Sequence, residues 1–290
     1  MKEEDLATYA ENTWCPGCGN FGILSSFKEA IIELVNEGMR KENFVVVTGI
    51  GCHGKMFDYI NLNGFYSLHG RPIATATGIK LANPKLNVVV FAGDGDTYAE
   101  GISHFIHAAR RNIDITLLVH NNQVFALTTG QATPTSEVGF TGKSTPEGNP
   151  ENPINPIELA LISGATFVAR AFALDTEHLK WIIKEAIKHK GFSFIDILQP
   201  CISFHNFSQF IREHSYKLEE SGYDASKLEE AIKRVREWDY NFEEGSKIPL
   251  GIFYKVRKET FEEKLEIKEP FYKIERKVEI EDLIKDFESY

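Results

Sequence analysis

Three groups of residues carry side chains whose types and spacing could do chemistry. The first is Phe91-Ala92-Gly93-Asp94-Gly95-Asp96, a carboxylate bracketed by glycines at the end of an apolar run. Glycines let backbone N–H groups approach a phosphate closely. The second is Asn121-Asn122, at the end of the next apolar run. A carboxylate, an amide oxygen and a nearby backbone carbonyl are the hard donors Mg2+ prefers, with diphosphate oxygens and water completing the octahedron. The third is the four cysteines: Cys15 and Cys18 in WCPGCG, Cys52 in GIGCHGK and Cys201 in QPC. A redox dithiol would follow a strand inside a βαβ unit, whereas Cys15 and Cys18 precede the first regular element. A zinc site is open, although Cys52 and Cys201 lack the spacing of a zinc ribbon. Four thiolates also suit one [4Fe–4S] cluster, whose ligands can converge through tertiary folding. The plain alternative is four unrelated buried cysteines. Glycine and proline beside them form tight loops in which thiolates can meet, which packed core cysteines seldom need.

The elements that must position these groups are legible as hydrophobic periodicity. Residues 22–38 read as an amphipathic helix, with Ile23, Phe27, Ile31 and Val35 on one side, Glu33 and Glu37 on the wet side, and Gly38 as the stop. Further helices are expected over 69–81, 99–112, 157–163, 177–189 and 224–239. Unbroken apolar strands are expected over 44–47, 87–92, 115–120, 166–170 and 192–198, with an extended piece over 250–256. Such strands alternating with helices predict an α/β fold, a mostly parallel sheet with helices on both faces. Residues 96–120 leave room for one helix and one strand. A right-handed crossover would therefore set Asp94 and Asn122 at neighbouring strand ends, facing the crevice where ligands bind in open α/β sheets. GDG followed at this distance by NN is the thiamine-diphosphate motif.

The chain has 290 residues, 42% apolar and 26% charged, enough for a large core. No apolar run approaches the roughly 20 residues needed to span a bilayer. The start MKEEDLATYAENTW is no secretory signal, so the cytoplasm is the expected compartment. A net charge of −10 argues against a nucleic-acid binder and against a polybasic membrane anchor. Half of all charged residues fall in residues 206–290. A break is therefore expected after Cys201, dividing residues 1–205, a core carrying cofactor and cluster ligands, from a charged C-terminal extension, 206–290. That extension either packs against a partner subunit or covers the sheet edge. Repeats and low-complexity tracts are absent.

With LHGRPIATATGIKLANP leading into the GDG run, the chain resembles the β subunit of 2-oxoacid:ferredoxin oxidoreductases from about Trp14 to Cys201, and again at IPLGIFYKVR. The resemblance implies that Cys15, Cys18, Cys52 and Cys201 hold a [4Fe–4S] cluster, and that Asp94, Asn122 and the Val124 carbonyl hold Mg2+. It places Gly93, Gly95 and Asp96 in the diphosphate loop, with Gly51, Cys52, His69, Gly70 and Thr128 also against the cofactor. Lys55 would lie near the substrate carboxylate, and His69 and Leu127 near the reacting centre. The implied activity is coenzyme A-dependent oxidative decarboxylation of a 2-oxoacid to acyl-CoA and CO2, with electrons passing through the cluster to ferredoxin. An α subunit, or α plus γ, would supply an activating glutamate and much of the coenzyme A site. The sequence departs from the family pattern at His53, where a small residue is common. It departs again at Gln123-Val124-Phe125-Ala126, and at Gly101-Ile102-Ser103-His104. His53, Lys55 and Leu127 are expected to line the pocket. A non-redox thiamine-diphosphate decarboxylase or carboligase would give the cysteines no role. A cluster-only electron-transfer subunit would leave GDG…NN unexplained, and a zinc-stabilised binding module would leave the crevice ligands unexplained as well.

Overall fold

The computed structural model describes residues 1–274 and 279–285. Its strands are β1 (Phe44–Thr48), β2 (Asn63–Tyr66), β3 (Asn87–Gly93), β4 (Ile115–Asn121), β5 (Val124–Phe125), β6 (Gln131–Ala132), β7 (Phe167–Phe172), β8 (Ser193–Leu198), β9 (Ser215–Lys217) and β10 (Ile248–Lys255). Eight of them form one sheet in the order β2-β1-β3-β4-β8-β7-β10-β9, while β5 and β6 pair separately. All neighbours in the large sheet are parallel except β10 against β7.

The helices are α1 (Asn20–Asn36), α2 (Met56–Tyr59), α3 (Pro72–Ala82), α4 (Ile102–Arg111), α5 (Pro156–Ile162), α6 (Thr176–Lys188), α7 (Ser208–His214), α8 (Leu228–Val235), α9 (Phe261–Lys264) and α10 (Ile280–Lys285). Helices α1 and α6 cover one face, burying Ile23, Phe27, Leu179 and Ile183 against Phe91, Leu118 and Ile195. Helices α3, α4, α5 and α8 cover the other, burying Ile73, Phe105, Ile157 and Val235 with Val90, Val119 and Phe194. Because both faces are covered, the central strands are apolar on both sides, and each such side chain contributes roughly 1.5–3 kcal/mol through burial. Glu33 of α1 and Glu37 just after it stay at the surface and pair with Lys184 of α6, while Val35 is only half-buried and Leu34 takes the core position. Asn155 and Asp175 start α5 and α6 by accepting the N–H of Glu158 and His178. No helix among the described residues is long and apolar enough to cross a membrane.

Four differences from the sequence expectation have physical causes. Helix α3 starts at Pro72, because Gly70 takes a left-handed conformation (φ 73°) and Pro72 suits the first turn. Helix α4 starts only at Ile102, after a wide π-helical turn over Gly95–Glu100. Helix α8 ends at Val235, because the following residues turn inward to bury Trp238 and Tyr240. The segment after residue 205 is part of the sheet itself, since β10 pairs with β7 and β9 pairs with β10.

At the opposite end of the sheet from the strand carboxyl ends, Lys80 of α3 is buried and its Nζ lies 2.6 Å from Asp114 Oδ2 at the start of β4. Burial alone would raise the Asp114 pKa, but the Lys80 and Lys190 ammoniums and the Gly191 N–H outweigh it and hold it below the ordinary value. A depressed carboxyl contributes stability above the ordinary Asp value, about 3.9, and loses it as pH falls through its folded value. Asp114→Ala strands the Lys80 charge, and urea unfolding at neutral pH should show a loss of about 3–5 kcal/mol. The deficit should shrink as the reference protein is acidified below pH 4.

Candidate active site

Four adjacent parallel strands, β1, β3, β4 and β8, end side by side, and each is followed by a loop carrying candidate residues. The β3 loop places Asp94 in the interior at 2% exposure. Thr133 Oγ1 donates to Asp94 Oδ2 at 2.6 Å. The Thr135 hydroxyl lies 3.1 Å from the same oxygen and 2.9 Å from Asn121 Oδ1, so its one proton serves two acceptors. Burial still pushes the Asp94 pKa up to about 7, against the Thr133 and Thr135 hydrogen bonds. Among the described residues Asp94 is therefore a hard oxygen donor without a neighbouring positive charge, the situation a bound cation relieves.

Asn122 is held from three sides. Its Nδ2 donates to Gln199 Oε1 at 3.0 Å, its Oδ1 accepts the Val124 N–H at 3.1 Å, and its carbonyl accepts from His205 Nδ1 at 3.2 Å. Asn121 points to the opposite face and donates to the buried Asp196 carboxylate at 3.1 Å. Asp196 also accepts from Tyr98 at 2.8 Å and Tyr240 at 2.7 Å. Burial raises its pKa, opposed by Arg170 and these hydroxyls. Arg170 is itself fully buried, donates to Tyr240 Oη at 3.1 Å, and lies over the rings of Trp238, Tyr240 and Phe253.

Asp96 ties three loops together. Its Oδ1 accepts the Gly70 N–H at 2.5 Å, and its Oδ2 accepts from His53 Nε2 at 3.1 Å. A Cβ on Gly49 would lie 1.7 Å from this carboxylate, so only glycine fits beside it. A Cβ on Gly95 would lie 2.1 Å from the Phe125 ring, so that glycine too is required.

One cavity of about 70 Å3 is bordered by Gly51, Cys52, His69, Gly93, Asp94, Gly95, Asp96, Asn122, Val124, Leu127 and Thr128. The structure thus brings together most of the residues expected to touch a cofactor. Gly70 does not line this cavity and acts through Asp96. His69 is partly exposed, with Nδ1 3.2 Å from Glu100 and 3.8 Å from Asp96. Of the three residues expected in the pocket, His53 and Leu127 line this cavity, and Lys55 does not. Lys55 borders a second cavity and donates to Thr13 Oγ1 at 2.8 Å. Ser103 and His104 do not border either cavity, and His104 pairs with Arg71.

That second cavity, about 240 Å3, is lined by all four cysteines. Among the described residues no group of three His, Cys, Asp or Glu side chains is arranged to hold a single metal ion. The four thiols border this cavity without being drawn into such a group. Gln199 Nε2 lies 3.6 Å from Cys18 Sγ, and Ser203 Oγ lies 3.4 Å from Cys15 Sγ. Burial, and the nearby cysteines, push the Cys18 thiol up to about 11, and burial raises Cys52 as well. Thiols of this kind become ligands only when a metal displaces their protons. The two cavities share Cys52, Asn122, Ala126, Leu127 and Gln199.

Sequence reasoning passed over His120, Gln199 and Asn20, and gave Asn121 no role apart from its place beside Asn122. His120 is fully buried, borders the first cavity and donates from Nδ1 to Asn20 Oδ1 at 2.7 Å. Its Nε2 and Asn20 Nδ2 have no partner among the described residues. Burial, and the nearby His53, hold its pKa well below the ordinary value, so the ring is neutral. The available signal was position: His120 immediately precedes Asn121-Asn122, and Gln199 precedes Pro200-Cys201.

An open sheet with GDG and NN at adjacent strand ends defines the thiamine-diphosphate enzyme class. Residues 49–197 match the family described as "Thiamine pyrophosphate enzyme, C-terminal TPP binding domain". Residues 201–269 match the family described as the C-terminal part of the pyruvate ferredoxin oxidoreductase beta chain. The chain is 45% identical to 2-oxoacid:ferredoxin oxidoreductase 1, subunit beta, of Aeropyrum pernix over 291 residues, covering 95% of this chain and 89% of that one. It is 46% identical over 276 residues to the 2-oxoacid:ferredoxin oxidoreductase subunit beta of Saccharolobus solfataricus, covering 90% and 88%. Among solved structures it resembles a chain of 2-oxoglutarate:ferredoxin oxidoreductase from Magnetococcus marinus, determined with 2-oxoglutarate, coenzyme A and succinyl-CoA bound. The TM-score is 0.88 and the identity 36%, with 98% of this chain and 95% of that chain covered. This chain belongs to the 2-oxoacid:ferredoxin oxidoreductase β-subunit family.

Tyr240→Phe removes a hydroxyl from the buried Asp196 carboxylate and from Arg170 at once. Urea unfolding should show a loss of about 1–3 kcal/mol, whereas unchanged stability would show the network to be slack.

Proposed function

We propose that this β subunit binds Mg2+–thiamine diphosphate and one [4Fe–4S] cluster and forms, with a partner subunit, a coenzyme A-dependent 2-oxoacid:ferredoxin oxidoreductase. The observation that carries this reading is the shared wall between the Asp94–Asn122 cavity and the four-cysteine cavity. A site for decarboxylation next to a site for electron acceptance suits oxidative chemistry, and a non-redox decarboxylase has no use for the second.

Asp94, Asn122 and the Val124 carbonyl would hold Mg2+, which in turn would hold diphosphate oxygens. The glycines at 93 and 95 let the backbone approach the diphosphate. Bound thiamine diphosphate supplies the electron sink for decarboxylation, and the cluster takes electrons singly. Around them the chain binds and orients. Asp96 fixes the His53 loop and the Gly70 loop against the β3 end. Leu127, about half-exposed, and the exposed Ile202 and Phe204 form an apolar rim suited to exclusion of water and to coverage by a partner subunit. Lys55 borders the four-cysteine cavity with its ammonium on Thr13, from where it would meet a substrate carboxylate. The glutamate that activates the cofactor and much of the coenzyme A site would come from the partner, so this chain alone should be inactive.

Two variants of the complex, purified anaerobically, test the reading. Asp94→Ala should lose Mg2+-dependent thiamine diphosphate binding, and full cofactor retention would overturn the metal assignment. Cys201→Ala should lose iron and the reduction of ferredoxin by a 2-oxoacid and coenzyme A. Unchanged iron with normal ferredoxin reduction would remove Cys201 from the ligand set.

A further inference from the structure

Gln199 follows directly on the last residue of β8, and its own N–H donates to the Asn121 carbonyl at 2.8 Å, so its backbone is fixed to the end of β4. The side chain is 1% exposed and lies in the wall between the two cavities. Its amide is fully engaged. Oε1 accepts from Asn122 Nδ2 at 3.0 Å. Nε2 donates to the Pro200 carbonyl at 2.9 Å and lies 3.6 Å from Cys18 Sγ. The Pro200 carbonyl can only accept, which assigns the amide nitrogen to the sulfur side and the oxygen to the Asn122 side. Gly19, next to Cys18, makes room for this: a Cβ there would stand 3.1 Å from Gln199 Cγ and 3.3 Å from Nε2.

We propose that Gln199 is a positioning residue common to both halves of the site, orienting Asn122 toward a divalent cation with its oxygen and donating a hydrogen bond to a cluster-bound sulfur with its nitrogen. This rests on the cofactor and cluster assignment above. With its NH2 committed to Gln199, Asn122 presents its oxygen, the end a hard cation needs. At the other end, an N–H directed at a thiolate sulfur favours the more negative, reduced cluster and so raises its reduction potential. One buried amide thereby connects the place where electrons are released to the place where they are received.

The test compares Gln199→Met and Gln199→Glu with wild type in the whole complex, purified anaerobically. The readouts are the cluster midpoint potential from a redox titration followed by electron paramagnetic resonance, and the Mg2+ affinity from thiamine diphosphate binding as Mg2+ is varied. Methionine is neutral and of similar length but neither donates nor accepts strongly. It should lower the potential and weaken Mg2+ about tenfold or more. Glutamate keeps an acceptor for Asn122 Nδ2 but loses the donor. It should lower the potential while Mg2+ affinity stays within a few-fold of wild type. An unchanged potential in the methionine variant with a full cluster overturns the sulfur half of the proposal. An unchanged Mg2+ affinity in that variant overturns the cation half. If it fails to assemble, a glutamate variant with wild-type potential still overturns the sulfur half. Absence of iron or thiamine diphosphate from the wild-type complex would instead overturn the assignment on which the proposal rests.

Discussion

The burial of the Asp94 carboxylate is the constraint to which the rest of the site answers. A carboxylate taken out of water must be hydrogen-bonded, paired with a cation or neutralised. Two threonine hydroxyls are supplied, yet burial leaves the group near pKa 7. The parallel sheet then does what an open α/β sheet does well: it brings the ends of several strands, each buried on both faces, to one crevice. Asp94 leaves β3, Asn122 follows β4, Cys52 follows β1 and Cys201 follows β8. Chemistry that needs oxygen donors and chemistry that needs sulfur donors become neighbours because these four strands are neighbours.

Behind Asp94, a second buried carboxylate extends the same logic. Asp196 meets Asn121, whose side-chain oxygen lies within reach of the Thr135 hydroxyl that also reaches Asp94. Tyr240 and Arg170 complete the network, with Trp238 and Phe253 closing over the guanidinium. Tyr240, Trp238 and Phe253 come from the C-terminal segment. That segment therefore completes the sheet edge through β10 and also covers the polar interior behind the active end, supplying Asp196 with a hydroxyl. Such a network is stable only when each member is satisfied, which gives the segment a reason to be fixed in place.

Much of this was legible in the sequence. The central strands are continuous apolar runs, and the GDG and NN groups stand at their ends, so fold class and the juxtaposition of Asp94 with Asn122 follow from pattern and crossover handedness. The four cysteines, spread from residue 15 to residue 201, were legible as a set only through their glycine- and proline-rich loops and the family resemblance. Three things were hidden for physical reasons. The C-terminal strand was legible only as an extended piece over 250–256, and the charge density around it masked its place in the sheet beside β7. The π-helical turn after Asp94 delays α4, and a hydrogen bond between Asp96 and Gly70, residues far apart in sequence, delays α3. Gln199 and His120 are single polar residues at the ends of apolar runs, and only the folded chain reveals what their ring and amide atoms face.

The most direct test of the central claim is the composition of the complex purified without oxygen: iron, acid-labile sulfide, zinc, Mg2+ and thiamine diphosphate determined on one sample. The account predicts iron and sulfide in equal amounts, matching one [4Fe–4S] cluster for each copy of this chain, together with thiamine diphosphate, Mg2+ and no stoichiometric zinc. Thiamine diphosphate without iron, or zinc in place of both, would contradict it.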